Sequence, residues 1–409
     1  MIGKHCIKFT MRKDKDNPRM ALAQRIVRSV FFRSAGRRHS IYWIAGVIFI
    51  LSIMVGCGPS TEDLQAVKYT PLPRDDWKVS TPAEQGLDPM LVAELYYNAA
   101  ELETVYGLLV VKNGYLIAER YFNKGSVDQK ARLQSVTKSF TSALAGIALD
   151  KGFLSSVDQK MIDFFPEIAD QITDPRKKQI TIRHLLQMRA GYPWEESHPD
   201  LWKGLLSGYY LPLIEEFPLV SEPGTRFHYS NLTSNWLGII VARACNTDLR
   251  SFAQKHLFSP IGAEAGDWGR DWDGHNNGCG DLHMTARGAA KFGLLYINDG
   301  KYEGKQIISA DWVRDSLQAY SVNEFVVKKV GHFRDIGYGY QWWSANVGQH
   351  HVEFAWGHGG QLIVLLDKLD MVVVVTAYPF YLEHNDKSWK HEKANIKLVG
   401  KFINSLAKE

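Results

Sequence analysis

Residues 372–375 are four valines in a row, inside the apolar stretch 371–377. β-Branched side chains are stiff and suit a pleated strand, and four in succession leave that strand no polar face. Such a strand has to be covered on both sides, so the chain must build a sheet around it and a layer on each face. Residues 361–366 and 353–356 read as neighbouring strands, and 338–344 as one more, with 367–370 as a tight turn. At the other end of the chain, 106–112 and 115–122 are β-rich runs joined by Asn113-Gly114, the strongest short hairpin signal. The middle is helical in pattern: 133–151, 181–188 opened by Thr181 and ending at Gly191, 231–240, and 284–296 with Thr285 as its cap. Helices near 90–103 and 390–407 flank the strands. The expected fold class is α+β: one sheet drawn from both chain ends, flanked by helices, with a mainly helical domain inserted at about 153–310.

The N-terminal head does not belong to this pattern. The first forty residues carry eleven lysines and arginines against Asp14 and Asp16. They account for the slight formal charge of +4, and without them the remainder is mildly acidic. A nucleic-acid reading from charge therefore has no support in the body. Residues 41–56 are almost unbroken apolar sequence of signal-peptide length. They run into Met54-Val55-Gly56-Cys57, which resembles the lipobox of bacterial lipoproteins, with Met54 in place of the preferred leucine. That resemblance implies lipidation of Cys57 and an exported body held to the membrane of the periplasm or cell envelope. An uncleaved signal anchor is the alternative, and translation from Met11 or Met20 would shorten the head. Residues 1–56 are thus expected as basic head and signal, 57–83 as lipidation site and tether, and 84–409 as the folded body. The 409 residues, 45% hydrophobic, suffice for one large domain or two interleaved ones. Cys245 and Cys279 remain in the body; a disulfide and two buried thiols both fit the sequence. No Cys-x-x-Cys or His-Glu-x-x-His occurs, so no metal framework and no cofactor is expected.

The chemistry gathers at the start of the helix 133–151. Its apolar residues Phe140, Ala143, Leu144, Ile147 and Ala148 mark one buried face. Ser135 falls where the helix begins, beside free backbone N–H groups, and Lys138 lies one turn on. A lysine kept out of water loses its proton more easily and can take one from a hydroxyl. The pattern is short: Ser405 and Lys408 repeat it as a solvated helix end, and Ser135 alone would pass for an N-cap. Two further segments give it context. In residues 222–231, Pro223-Gly224 marks a turn, and Tyr229 and Asn231 sit at a loop-to-helix junction. A tyrosine near a lysine can move a proton, and an asparagine can orient the lysine or a substrate carbonyl. In residues 356–361, Gly357-His358-Gly359-Gly360-Gln361 interrupts a strand, as close backbone approach requires. There the N–H of Gln361, taken to lie on a bare strand edge, joins that of Ser135 as a candidate oxyanion donor. No Gly-x-Ser-x-Gly elbow accompanies the glycines.

Ser135-Val136-Thr137-Lys138, Tyr229-Ser230-Asn231 and His358-Gly359-Gly360, in this order, resemble the three motifs of the serine β-lactamase and penicillin-binding-protein superfamily. The resemblance covers about Thr81 to the C-terminus and is nearest to the class C-like branch, which includes esterases, peptidases and 6-aminohexanoate-dimer hydrolases. It implies that the sheet is antiparallel, with the site between sheet and helical domain, and that the protein is a serine hydrolase that cleaves an ester or amide through an acyl-serine. Ser135, Lys138 and Tyr229 would be catalytic, and Asn231, His358, Gly359, Gly360 and Gln361 would contact substrate or oxyanion. Its partners would be a small ester, amide or peptide substrate and, through the anchor, the membrane. His358 stands where true β-lactamases carry a lysine that helps hold a substrate carboxylate. A cell-wall D,D-carboxypeptidase or β-lactamase and a non-catalytic wall-fragment sensor are the alternatives. Tyr192, Trp194, Trp202, Tyr209, Tyr210, Trp342 and Trp343 fit either a substrate groove or core packing.

Overall fold

The computed structural model describes residues 58–380 and 387–407. The basic head, the apolar run 41–56 and Cys57 lie outside the described residues. The chain divides into two units, Met1–Ser60 and Thr61–Glu409, and the second holds the sheet and its helices.

Local chemistry accounts for most element boundaries. Helix α1, Pro89–Ala99, opens with Pro89 at its first position and with the Asp88 side chain accepting from the Met90 N–H, as an N-terminus favours. Strands β1, Val105–Lys112, and β2, Tyr115–Tyr121, meet at Asn113 and Gly114, with φ of 51° and 77°. A two-residue hairpin turn of the primed type needs positive φ at both positions. Helix α2 is Thr137–Asp150, α3 is Asn231–Ala244 capped by Ser230, and α4 is Ala286–Ile297 capped by Thr285. Met284 belongs to a two-residue strand paired with Ala131–Arg132, just outside α4. The segment expected as a helix over 181–188 is shorter, Ile182–Leu186 capped by Thr181, because Met188 turns left-handed at φ 56°.

The C-terminal strands are β3, Phe333–Tyr338; β4, Trp343–Val347; β5, His350–Gly357; β6, Gln361–Leu366; and β7, Met371–Ala377; α5, Lys387–Asn404, closes the fold. The single strand expected over 338–344 is instead a turn between β3 and β4. Gln341 takes φ 61° there, its carbonyl accepts from the Ser139 hydroxyl at 2.7 Å, and its N–H donates to Leu186 O at 3.1 Å. Tertiary partners on α2 and the neighbouring helix thus claim the backbone groups that a strand would have used.

From its edge the main sheet runs β2, β1, β7, β6, β5, β4, β3, and two short strands, Ser321–Val322 and Lys329–Val330, pair with β3. Every pairing is antiparallel. The chain ends join at β1 and β7, where Val110 faces Val373, so the fold is the expected sheet from both termini around an inserted helical region. Side chains alternate between two cores. Leu109, Val111, Ile363, Leu365, Val372 and Val374 face α2, α4 and the inserted helices. Leu108, Val110, Leu362, Val364, Val373 and Val375 face α1 and α5. All four valines of 372–375 are at most 1% exposed, each stabilising the fold by about 1.5–3 kcal/mol relative to exposure.

The segment 57–83, expected as a tether, is attached to the body over most of its described length. Tyr69 stacks on Tyr96 at 5.5 Å, and the Leu72 N–H donates to Glu119. Leu116 N–H donates to Lys78 O, and Ser80 N–H to Leu116 O. The open edge of β2 offers unpaired backbone groups, and residues 78–80 use them.

Candidate active site

Ser135 lies in a single 3-10 turn, Gln134–Val136, immediately before α2. No side chain caps α2, so Ser135 is not there as a cap. The preceding residue, Gln134, is left-handed at φ 51°, a strained conformation of the kind that collects at functional sites. The turn is pressed against the end of β5. A Cβ on Gly357 would sit 2.3 Å from Leu133 O, so only glycine permits this approach.

Lys138 is 1% exposed. Its Nζ lies 3.0 Å from Ser135 Oγ, 2.8 Å from Asn231 Oδ1 and 3.0 Å from the Cys279 carbonyl. The Asn231 amide is oriented by its own Nδ2, which donates to Glu196 at 3.0 Å, so its oxygen faces Lys138. The Asn231 oxygen and the Cys279 carbonyl accept only, so two Lys138 N–H groups are committed to them. The third position on Nζ faces the Ser135 hydroxyl, to which an ammonium donates and from which a neutral amine accepts. Burial pulls the Lys138 pKa down, against the opposing influence of Cys279, Glu196, Glu195 and Asp281. The Cys279 carbonyl arrives through another close approach: a Cβ on Gly278 would lie 2.2 Å from Ser234 O of α3.

Tyr229 completes the group. Its ring lies 4.9 Å from Lys138 Nζ, and it lines the same cleft as Ser135. Burial raises its pKa well above the ordinary value, and the influence of Ser135 offsets only part of that. Desolvation is thus the dominant influence on this phenol. Tyr229 is therefore a neutral hydroxyl at the nucleophile.

The 358–361 segment forms the facing wall. Gly359 and Gly360 have φ of 81° and 83°, which only glycine adopts freely. His358 Nδ1 lies 3.0 Å from Glu392 of α5, and that contact raises its pKa. The same carboxylate accepts from Trp356 Nε1 at 2.7 Å and from the Gly359 N–H at 2.9 Å, while the Gly359 carbonyl accepts from Asn395 at 3.0 Å. Gln361 does not lie on a bare strand edge. It is the first residue of β6, an interior strand, paired there with Gly357, and its side chain is bonded both ways to the Ala377 backbone. It is fully buried. Gly360 donates its N–H to Gly357 O.

Ser135, Tyr229, His358 and Glu392 line a cleft of about 110 Å³ together with Trp194, Glu196, Phe325, Trp343 and Trp356. Of the aromatics open to either reading, Trp194 and Trp343 reach the cleft, Tyr192, Tyr210 and Trp342 are core, and Trp202 and Tyr209 are on the surface. Cys245 and Cys279 are free thiols, each pushed up to about 11 by burial. Three carboxylates escaped the sequence reading: Glu195, Glu196 and Glu392. Glu195 is fully buried and accepts from the Ser230 hydroxyl and from the N–H groups of Asn231 and Leu232, at 2.5, 3.0 and 3.2 Å. The free N–H groups at the start of α3 were the available signal, since they demand an acceptor, but nothing named which one.

The beta-lactamase family profile matches residues 101–395. The chain belongs to the beta-lactamase family. Among beta-lactamase relatives, Beta-lactamase-like protein 2 of Dictyostelium discoideum is 24% identical over 225 residues, 48% of this chain and 40% of that protein. The chain thus spans about two fifths of that relative's length. The 6-aminohexanoate-dimer hydrolase of Paenarthrobacter ureafaciens is 23% identical over 283 residues, 65% of this chain and 70% of the other. A simvastatin synthase mutant from Aspergillus terreus superposes with a TM-score of 0.58 at 16% identity, covering 78% of this chain and 99% of its own; at that identity the likeness is one of fold. The beta-lactamase fold is thus shared here by proteins named for hydrolysis and for synthesis.

Proposed function

We propose that this beta-lactamase family member is an exported, lipid-anchored serine hydrolase that cleaves an ester or amide through an acyl-serine. One observation carries the catalytic part: the buried Lys138 Nζ, bonded to Asn231 Oδ1 and the Cys279 carbonyl, sits 3.0 Å from the Ser135 hydroxyl in the floor of a cleft. Ser135 Oγ bonds to the substrate carbonyl carbon as its proton passes to Lys138 Nζ. The carbonyl oxygen becomes an oxyanion, held by the N–H groups of Ser135 and His358. His358 is put in this role because it borders the cleft, whereas Gln361 does not line it. As the tetrahedral adduct collapses, the carbon–heteroatom bond breaks, Tyr229 protonates the leaving group, and Lys138 restores the tyrosine proton. Water then attacks the acyl-serine, giving up its proton along the same route, and the acid leaves with Ser135 regenerated. Export and lipidation rest on the 41–57 sequence.

The test is covalent labelling with a fluorophosphonate and peptide mapping, beside turnover of short-chain esters. Ser135 should carry the label, and Ser135→Ala should lose both label and turnover while melting at the wild-type temperature. Retention of most activity in that variant refutes the assignment. A D,D-peptidase would instead favour peptidoglycan stem peptides, and a sensor would bind wall fragments without turnover.

A further inference from the structure

We infer that the cleft selects a substrate whose acyl group is apolar and uncharged, and turns away one carrying a carboxylate there. This rests on the acyl-serine reading and adds the substrate class. Two features of the walls carry it.

The first is a continuous aromatic surface. Trp194 meets Phe325 edge-on at 5.6 Å, Phe325 meets Trp343 at 5.0 Å, and Trp343 meets Trp356 at 5.6 Å. Tyr229 stacks on Trp343 at 5.5 Å, behind the nucleophile. Rings held this way present apolar faces and edges, which favour flat or branched hydrocarbon groups. Phe325 comes from the loop between the two short edge strands, so the wall draws on several remote segments.

The second is the charge balance. Among the described residues lining the cleft, the ionisable pair of acids is Glu196 and Glu392, and the single basic side chain is His358. His358 is already opposed by Glu392 at 3.0 Å. Glu196 has no cationic partner among these lining side chains; Lys138, on which its charge acts, is buried behind Ser135 and committed to Asn231 and the Cys279 carbonyl. Arg189 does not line the cleft; it is held by Glu324 at 2.7 Å and by the Tyr320 carbonyl at 2.9 Å. A substrate carboxylate would give up its hydration and meet a paired cation and an unpaired anion, which is a repulsive arrangement.

The experiment compares methyl esters in a pH-stat, so that the leaving group stays constant. Methyl phenylacetate and methyl 4-methylpentanoate should each exceed monomethyl succinate in kcat/KM by at least about tenfold; the last two have nearly the same shape. Glu196→Gln, which keeps an acceptor for Asn231, should narrow that gap several-fold. Phe325→Ala should lower kcat/KM for methyl phenylacetate more than for methyl acetate. Equal or better turnover of the succinate ester, or a gap that Glu196→Gln leaves unchanged, overturns the inference. Fluorophosphonate labelling separates the two claims. A protein labelled at Ser135 that prefers the succinate ester keeps its nucleophile and loses the selectivity proposed here; a protein not labelled there loses both.

Discussion

At the scale of single residues, the site is governed by what burial does to two ionisable groups. Lys138 is desolvated and its pKa is lowered from 10.5, so the amine is freed of its proton at a lower pH than a lysine in water. Turnover needs that neutral amine, so kcat/KM should climb with pH along a limb below 10.5, as a pH–rate profile will read. Lys138→Arg should remove the limb and lower the rate by about a thousandfold, because a guanidinium does not give up its proton. His358 is shifted the other way, above 6.5, by the Glu392 carboxylate. A group whose folded pKa is raised stabilises the fold fully below its unfolded value, and that contribution is lost as pH rises through the folded one. The wild type should therefore out-melt His358→Gln by more at about pH 5.5 than at about pH 9, well above the ordinary imidazole pKa. Side-chain exposure of 47% at His358 keeps the effect modest.

At the scale of elements, the critical feature is the N-terminus of α3. Its first N–H groups face Glu195 instead of water, and Burial raises the Glu195 pKa even against the three donors it accepts from. Glu195→Ala would strand two N–H groups and a hydroxyl in the interior. The expected loss is about 3 kcal/mol in a urea melt, with activity falling further than stability because Asn231, the first residue of α3, orients Lys138. An unchanged urea midpoint would show that water substitutes for the carboxylate. Helix α5 plays a similar part at the opposite wall, where Glu392 gathers three donors from the 356–359 segment.

At the scale of the whole molecule, the N-terminal segment is tied to the sheet by buried charge. Arg287 of α4 bonds Glu119 of β2, Asp76 and the Leu72 carbonyl, and the Arg287 and Glu119 side chains are 4% and 0% exposed. Arg287→Met would leave Glu119 unpaired in the interior and should cost about 3–5 kcal/mol in equilibrium unfolding. The double variant with Glu119→Gln should recover part of that loss, since a neutral pair no longer carries the desolvation cost of a lone charge.

The sequence by itself determined the sheet and its two-sided burial, because four consecutive valines admit no solvent face. It determined the Asn113-Gly114 hairpin, because few residues tolerate left-handed backbone, and the caps at Thr181 and Thr285, because short hydroxyl side chains satisfy free N–H groups. It also marked Ser135, Lys138, Tyr229 and Asn231, whose residue types carry the chemistry. Only the tertiary structure decided which partners they meet. Glu195, Glu196 and the Cys279 carbonyl reach the site from segments with no periodicity or motif to announce them, and Glu392 from a helix whose pattern does not say which of its residues meets the site. The same holds for the break at 339–342, where contacts to remote helices outweighed local strand preference, and for Gln361, whose strand became interior once neighbours closed on both sides. Hydrogen bonds and desolvation depend on what lies a few ångströms away in space, and a linear pattern records only what lies a few residues away in the chain.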